Sequence, residues 1–415
     1  MATQATISFT DPAVQRCPFP AYAALRNHGP VYWDASSEAW IVIGYDEVRT
    51  VALDPATYSS VTGRLLVTKR PYQDEVDAIY REHGVLPTNT LVVADPPLHT
   101  FHRTLVDKVF TLSRVKQMRD YLSDVVNGLV DSVIDRGRFD FSAELATRIP
   151  IFVIADQLGM PRSEVDRFKL WSDAVVAGND PTNDRETQLA ITRTICGFHR
   201  FILERAEEYR RAPADNMLSD LVRARDANGR ALDDRELASI VLIILVAGND
   251  TTTATLSTGM YRLITTPGLE QALRGEPAKL TNFIEEVLRY EAPIQGLWRR
   301  ATRDTELGGV RLKEGDILSV RFGAANHDPA VFADPETLDP DRRNLRNHLT
   351  FGAGPHFCVG KQLALAELQT AFAIVLDRMK NLRLARGEGG VEWATRYSGY
   401  GVTRLEMAFD RNEAG

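Results

Sequence analysis

The sequence predicts a mainly α fold with a minor β component, built as a single large helical domain with small β-sheets over residues 1–415. Three observations carry that prediction. Helix-period apolar patterns dominate from about residue 95 to 290, and short β signals are confined to the flanks. No Gly/Ser or Pro-rich linker and no internal repeat divides the chain. At 415 residues there is room for two or three average domains, but also for one large one.

The elements follow in order. Val31-Tyr32-Trp33 and Trp40-Ile41-Val42-Ile43, rich in β-branched and aromatic residues and bounded by turns, predict a small β-rich region near the N-terminus. Val115, Met118, Leu122, Val125, Val126, Leu129 and Val133 then fall on one face of a helix. Helical signals continue through Arg289. After Pro293 come turns and short strands, Val310-Arg311-Leu312 and Ile317-Leu318-Ser319-Val320, and a long helix from Gly360. Glycine clusters at Gly387-Glu388-Gly389-Gly390 and Ser398-Gly399-Tyr400-Gly401 predict C-terminal β hairpins.

Composition sets limits on function. With 44% apolar and 25% charged residues the chain reads as a soluble globular protein, and a net charge of −7 argues against nucleic acid as a partner. Residues 1–19 hold Asp11, Gln15, Arg16 and two prolines, so they read as neither signal peptide nor membrane anchor. The strongest apolar run, 240–247, is far shorter than a membrane span needs. Cys17, Cys196 and Cys358 are odd in number and widely spaced, which fits a reducing cytoplasm, with Cys17 and Cys196 as packing residues.

Two segments break local rules. Asp233-Asp234-Arg235-Glu236 reads as a helix start, with Asp233 as N-cap and Glu236 as its reciprocal partner. Pro267-Gly268 marks the stop, giving roughly 32 residues and about 48 Å. The middle of that helix carries Ala247-Gly248-Asn249-Asp250-Thr251-Thr252, where the glycine alone costs roughly 1 kcal/mol against alanine and the carboxylate adds to it. Rules broken in mid-helix point to function. Near the C-terminus, Phe351-Gly352-Ala353-Gly354-Pro355-His356-Phe357-Cys358-Val359-Gly360 sets a cysteine between a glycine-bearing loop and a helix start. A thiolate there gains from the unpaired N–H groups and positive end of the helix. The glycines leave room for a flat group above the sulfur, and Phe351 and Phe357 can shield it from water.

Six specified positions of that loop resemble the Phe-Gly-x-Gly-x-His-x-Cys-x-Gly loop of the cytochrome P450 superfamily in its soluble bacterial form. The resemblance runs in consistent order from Pro18-Phe19 through the C-terminal hairpins. It implies the cytochrome P450 fold, with heme b between the long helix and the helix after the 351–360 loop, and with Cys358 as the metal ligand. Phe351, His356 and Gly360 are implied as further cofactor contacts. The mid-helix stretch resembles the Ala/Gly-Gly-x-Asp/Glu-Thr signature, where the helix bulges. On that match Ala247 and Gly248 lie against the heme, Thr251 bonds dioxygen or a nearby water, and Asp250 feeds protons from the surface.

Two further matches concern scaffold and cofactor. Glu286-Val287-Leu288-Arg289, by itself an ion pair at i and i+3 that reads as a surface pair, resembles the Glu-x-x-Arg motif. Arg342, in Leu338-Asp339-Pro340-Asp341-Arg342, completes a structural triad holding the thiolate loop. The two heme carboxylates need cations or donors. The resemblance implies His99 and Arg103, one turn apart in Asp95-Pro96-Pro97-Leu98-His99-Thr100-Phe101-His102-Arg103, together with Arg299 and His356. The tandem Arg299-Arg300 leaves two choices, and spacing to Ala301 and Asp304 favours Arg299.

By position the substrate pocket draws on Val93, Val246, Ile294, Leu297 and Tyr400, mainly apolar residues that suit a small lipophilic organic molecule held by shape. Arg64, Lys69 or Arg70 could receive a substrate carboxylate, although a solvated loop face is the simpler reading. The implied function is a monooxygenase that uses O2 for hydroxylation or oxidative dealkylation, as a cytoplasmic monomer. Electrons would come from a separate ferredoxin and its reductase, with Lys361, Arg343 and Arg346 available to dock an acidic partner. One alternative is a peroxide-driven peroxygenase, against which the acid–alcohol pair Asp250-Thr251 argues. The other is a non-catalytic heme-binding carrier or sensor.

Overall fold

The computed structural model describes residues 7–62, 72–178 and 183–412. These residues are mainly helical with small sheets, and they gather into two compact units. One comprises the chain up to residue 60 with 119–148 and 251–415; the other comprises 61–118 and 149–250.

In the first unit a five-stranded sheet runs in the order Val31–Asp34, Ala39–Val42, Ile317–Val320, Leu297–Ala301, Tyr58–Ser59. Ala39–Val42 pairs parallel with Ile317–Val320, setting Trp40 opposite Leu318, and the other pairings are antiparallel. Val42, Val48, Val51, Leu318, Val320 and Phe322 form part of the core beneath it. The N-terminal region is therefore less β-rich than the sequence suggests. Its strands complete a sheet with partners roughly 240 to 280 residues later, and they alternate with helices Phe19–Arg26 and Tyr45–Leu53. Neither helix has a capping side chain, since Pro18 and Gly44 occupy the N-cap positions, so the usual start signal is missing.

A second sheet joins Met379–Glu388, Val391–Trp393 and Val402–Arg411 to Arg138–Asp140, which interrupts the helical stretch. That strand is three residues long with one buried side chain, Phe139 opposite Met407, too short for a legible period. The 115–133 stripe is buried, but it is divided between two helices, Leu112–Gln117 and Arg119–Asp131, with Met118 between them and Val133 beyond the second. In the second unit, helices Gln73–His83, Val165–Gly178 and Arg185–Arg211 contribute Val76, Ile79, Val175, Leu189 and Ile195 to one cluster.

The long helix spans Asp234–Thr265. Its start is a reciprocal cap: Glu236 N–H donates to Asp233 Oδ1 at 2.8 Å, and Asp233 N–H to Glu236 Oε2 at 3.0 Å. The helix is α throughout, without the bulge that the resemblance implies. Its mid-helix polar groups find partners that leave the ladder intact. Asn249 Nδ2 donates to Ser172 Oγ (3.1 Å), Thr253 Oγ1 to the Ala146 carbonyl (3.2 Å) and Thr255 Oγ1 to the Thr251 carbonyl (2.9 Å). By length and composition the whole helix could cross a membrane, but half of its most apolar stretch is buried within the protein.

Candidate active site

The cysteine loop is shaped by its own backbone. Gly352 N–H donates to the Leu349 carbonyl (2.8 Å), Phe357 N–H to Gly354 (3.0 Å) and Cys358 N–H to Phe351 (2.9 Å). Gly354 sits at φ +66°, and a Cβ there would stand 2.6 Å from the Ala52 carbonyl oxygen, so only glycine fits. Helix Lys361–Arg378 follows, with Gly360 as N-cap and no capping side chain, so its positive end is not spent on a cap. The Lys361 ammonium lies 5.0 Å from the Phe351 ring and 5.7 Å from that of Phe357, adding charge at the same helix start. Phe357 is 41% exposed, so of the two rings expected to shield the sulfur only Phe351 is itself partly buried. His356 Nε2 lies 3.0 Å from Ser60 Oγ.

Behind the loop, Glu286 and Arg289 form no surface pair: both are fully buried. Arg289 Nε and Nη2 donate to the two Glu286 oxygens at 2.7 and 2.8 Å. Arg342 Nε reaches Glu286 Oε1 at 3.4 Å, and Asp339 N–H reaches it at 2.9 Å. The remaining Arg289 donors hold the carbonyls of Asn326, Pro335 and Thr337. Asn326 in turn accepts from Leu349 N–H and donates to Thr350 Oγ1, which donates to the Leu288 carbonyl. The network thus grips the two residues that lead into the cysteine loop. Next to it, burial works against the charge on Glu285, but a 2.8 Å bond to His348 holds that carboxyl below the usual range.

On the long helix Asp250 and Thr251 are half-buried and Thr252 is buried. Thr252 bonds a residue that the sequence reading passes over. Glu367, nine positions after Cys358, is fully buried, and desolvation pushes its carboxyl up to about 8 against the pull of the Thr252 bond. It therefore keeps its proton near neutrality and can donate to the Thr252 hydroxyl. The signal was present: an acid on the buried stripe Leu363, Glu367, Leu368, Ala371, Phe372. Ala247 is exposed, and a Cβ on Gly248 would meet Ile154 at an ordinary 3.5 Å, so packing by the protein does not itself require that glycine.

Among the carboxylate-holding candidates, strand alternation buries Arg299 and exposes Arg300. Arg299 Nη1 donates to the Trp298 carbonyl at 2.7 Å. In the second unit His99 and Arg103 lie one turn apart on helix Leu98–Val106. Arg103 Nε bonds Asp107 at 3.1 Å. Burial, then the Arg103 charge, bring buried His99 down to about 4, so it offers a neutral N–H donor.

The substrate candidates divide. Val93 is buried in the turn Leu91–Val93, and Val246 packs on the second unit's cluster. Ile294 pairs with Gly399 across two turns, and Leu297 opens its strand partly buried. Tyr400 departs from the expectation: its ring is buried against Phe19 and Trp393 (centroids 5.4 and 5.3 Å), and its hydroxyl meets the fully buried Glu291. That side chain backs the turn, leaving Ser398 and Gly399 as its more open residues. Arg64, Lys69 and Arg70 lie outside the described residues.

Whether these groups suit a heme can be judged from the donor set. Among the described residues no three His, Cys, Asp or Glu side chains gather as a metal cluster. A metal on Cys358 must then bring its other ligands with it, as a porphyrin does. A thiol at an uncapped helix start, with the buried Arg299 and the partly buried His356 in the same unit as donor types that suit carboxylates, fits that group.

Comparison with known proteins agrees. The cytochrome P450 family model matches residues 179–383. The chain is 33% identical over 405 residues to the cytochrome P450 monooxygenase PikC of Streptomyces venezuelae, covering 96% of this chain and 92% of that protein. The structure of cytochrome P450 CYP109Q5 from Chondromyces apiculatus matches with a TM-score of 0.86 at 28% identity, over 98% of each chain. CYP109E1 from Bacillus megaterium, solved in complex with testosterone, matches with a TM-score of 0.82 at 30% identity, over 94% of this chain and 99% of that one.

Proposed function

This chain belongs to the cytochrome P450 family, and on that premise we propose a ferredoxin-driven monooxygenase acting on a small lipophilic organic molecule. The enzyme is a cytochrome P450 monooxygenase and its cofactor is heme b. Heme held by the Cys358 thiolate supplies the iron at which dioxygen is activated. The chain is read as one working domain, since solved relatives match it over 94% and 98% of its length. The observation that carries the reading is the Cys358 loop, shaped by Gly354 and braced by the Glu286–Arg289–Arg342 network.

The roles of the chain's own residues follow from their chemistry. Arg299 and Arg103 would supply positive charge to the heme carboxylates, with His356 and the neutral His99 as N–H donors. Thr251 holds a hydrogen-bonded water, and half-buried Asp250 moves protons to it from solvent. Protonated Glu367 and Thr252 form a second proton-holding pair. Apolar Val93, Val246, Ile294 and Leu297 support a lipophilic substrate, and the testosterone complex of CYP109E1 supports one of that size class. Hydroxylation and oxidative dealkylation are both within this chemistry. Exposed Arg343 and Arg346, with Lys361, support docking of an acidic ferredoxin.

Two experiments test the reading. The reduced, carbon-monoxide-bound protein should show the red-shifted Soret band of thiolate coordination. Cys358→Ser should abolish the band, while Cys17→Ala and Cys196→Ala keep it; survival of the band in Cys358→Ser overturns the assignment. Thr251→Ala should still accept electrons but divert them to hydrogen peroxide, and Asp250→Asn should slow oxygen consumption with a larger solvent isotope effect. NADH used, peroxide formed and product made distinguish the two failures. Tight coupling in Thr251→Ala would remove Thr251 from the proton path.

A further inference from the structure

Arg321 follows strand Ile317–Val320 and is 1% exposed. Its Nη1 donates to the Tyr397 carbonyl at 2.8 Å, whereas Nε and Nη2 meet no acceptor. Among the described residues no carboxylate pairs with it. Instead the guanidinium lies between two rings, 4.2 Å from the Tyr397 centroid and 4.6 Å from that of Phe9. Tyr397 stacks in turn on Trp298 (4.8 Å, 12°) and Phe9 on Tyr22 (5.7 Å, 24°). The Tyr22 hydroxyl then donates to Gln295 Oε1 at 3.0 Å, closing the series.

That series touches one turn at Gln295 and another at Tyr397, and the two turns are bonded to each other. Gln295 N–H donates to the Ser398 carbonyl (2.7 Å), Tyr400 N–H to that of Pro293 (2.9 Å), and Ile294 bridges Gly399. The first turn is also pressed on the base of Arg321: a Cβ on Gly296 would stand 2.4 Å from the Val320 carbonyl and 3.0 Å from Arg321 Cδ. An apolar side chain of similar volume would fill this space without desolvating a charge. What arginine adds is a flat donor that bonds the backbone of one turn while stacking on a ring from it.

We propose that Arg321 is a positioning residue for substrate selection, locking the 293–297 and 397–400 turns together and so fixing the wall that decides which ligands fit and which carbon they present. The proposal rests on the reading that these turns line the substrate chamber.

The test uses the heme-loaded protein. Arg321→Met roughly keeps the volume but loses the plane and the donor. Amide hydrogen exchange in peptides covering 292–298 and 397–401 should quicken at least tenfold, with helix Lys361–Arg378 and the thiolate Soret band unchanged. The Kd of imidazole, small enough for any chamber, should stay within twofold, while that of 4-phenylimidazole shifts at least fivefold. Arg321→Lys, which keeps a donor, should recover part of the protection. Should Arg321→Met fail to fold, Phe9→Leu removes one stacking face and should move the same two readouts by a smaller factor. Unchanged exchange in both turns with unchanged 4-phenylimidazole binding overturns the proposal, and so does equal weakening of both azoles. A wild-type protein without the thiolate band would overturn the functional reading instead, leaving turn exchange to judge Arg321.

Discussion

Among the described residues Arg289 and Arg321 are the two largest fully buried side chains, yet their guanidiniums are held in opposite ways. Arg289 makes five hydrogen bonds, two to the Glu286 carboxylate and three to carbonyls of 326, 335 and 337. Arg321 makes one and is otherwise enclosed by aromatic rings. Burial alone therefore does not reveal what a charge is for; the number of acceptors around it does. A saturated network defines its own geometry, and removing one member strands the rest. An under-bonded cation returns little stability for its desolvation, so its value lies in what it orients.

Replacing both arginines by methionine would break or sharpen that contrast. Arg289→Met leaves the buried Glu286 with Arg342 and the Asp339 amide only and strands the carbonyls of Asn326 and Pro335, so a loss of about 3–5 kcal/mol is expected. Urea unfolding and poor heme incorporation should report it together. Arg321→Met gives up one bond but relieves a buried charge, and should lie within about 1 kcal/mol of wild type. If its urea midpoint falls as far as that of Arg289→Met, the distinction between the two sites collapses.

Legibility from sequence follows the same line between local and distant causes. The cysteine loop can be read because its requirements sit within ten residues: Gly352 and Gly354 at positive φ, then the helix start. The Asp233–Glu236 cap is equally local, and both of its bonds form. Arg342 meets Glu286 across 56 residues, a pairing that only family resemblance could suggest. Arg321 reads as one more strand-end arginine, because its burial depends on Phe9, Tyr22 and Tyr397, which no local pattern connects. Position in the turn suggested that Tyr400 would face a ligand, whereas Glu291 and two rings decide where its side chain points. The N-terminal helices were hidden by uncapped starts and Arg138–Asp140 by its length.

Two carboxylates repeat the contrast with the sign reversed, and they give the last prediction. Glu286 accepts from Arg289, Arg342 and the Asp339 amide. Glu367 is fully buried with Thr252 as its hydrogen-bond partner, and desolvation pushes it up to about 8. Because that folded value lies above the ordinary glutamate value of 4.5, the folded chain keeps a proton that the unfolded chain releases above about pH 4.5. Raising the pH therefore favours unfolding, until both states are ionised above about pH 8. Glu367→Gln removes this penalty while keeping the shape and a donor. Its stability should match wild type near pH 4.5, exceed it by about 2 kcal/mol at pH 6, and gain at most about 1.4 kcal/mol per further unit up to pH 8. Urea unfolding of both heme-loaded proteins from pH 5 to 9 measures the gap. A gap that does not change with pH would mean that Glu367 is already ionised in the folded protein. The carboxyl could then only accept from Thr252, and the second proton-holding pair would lose its donor.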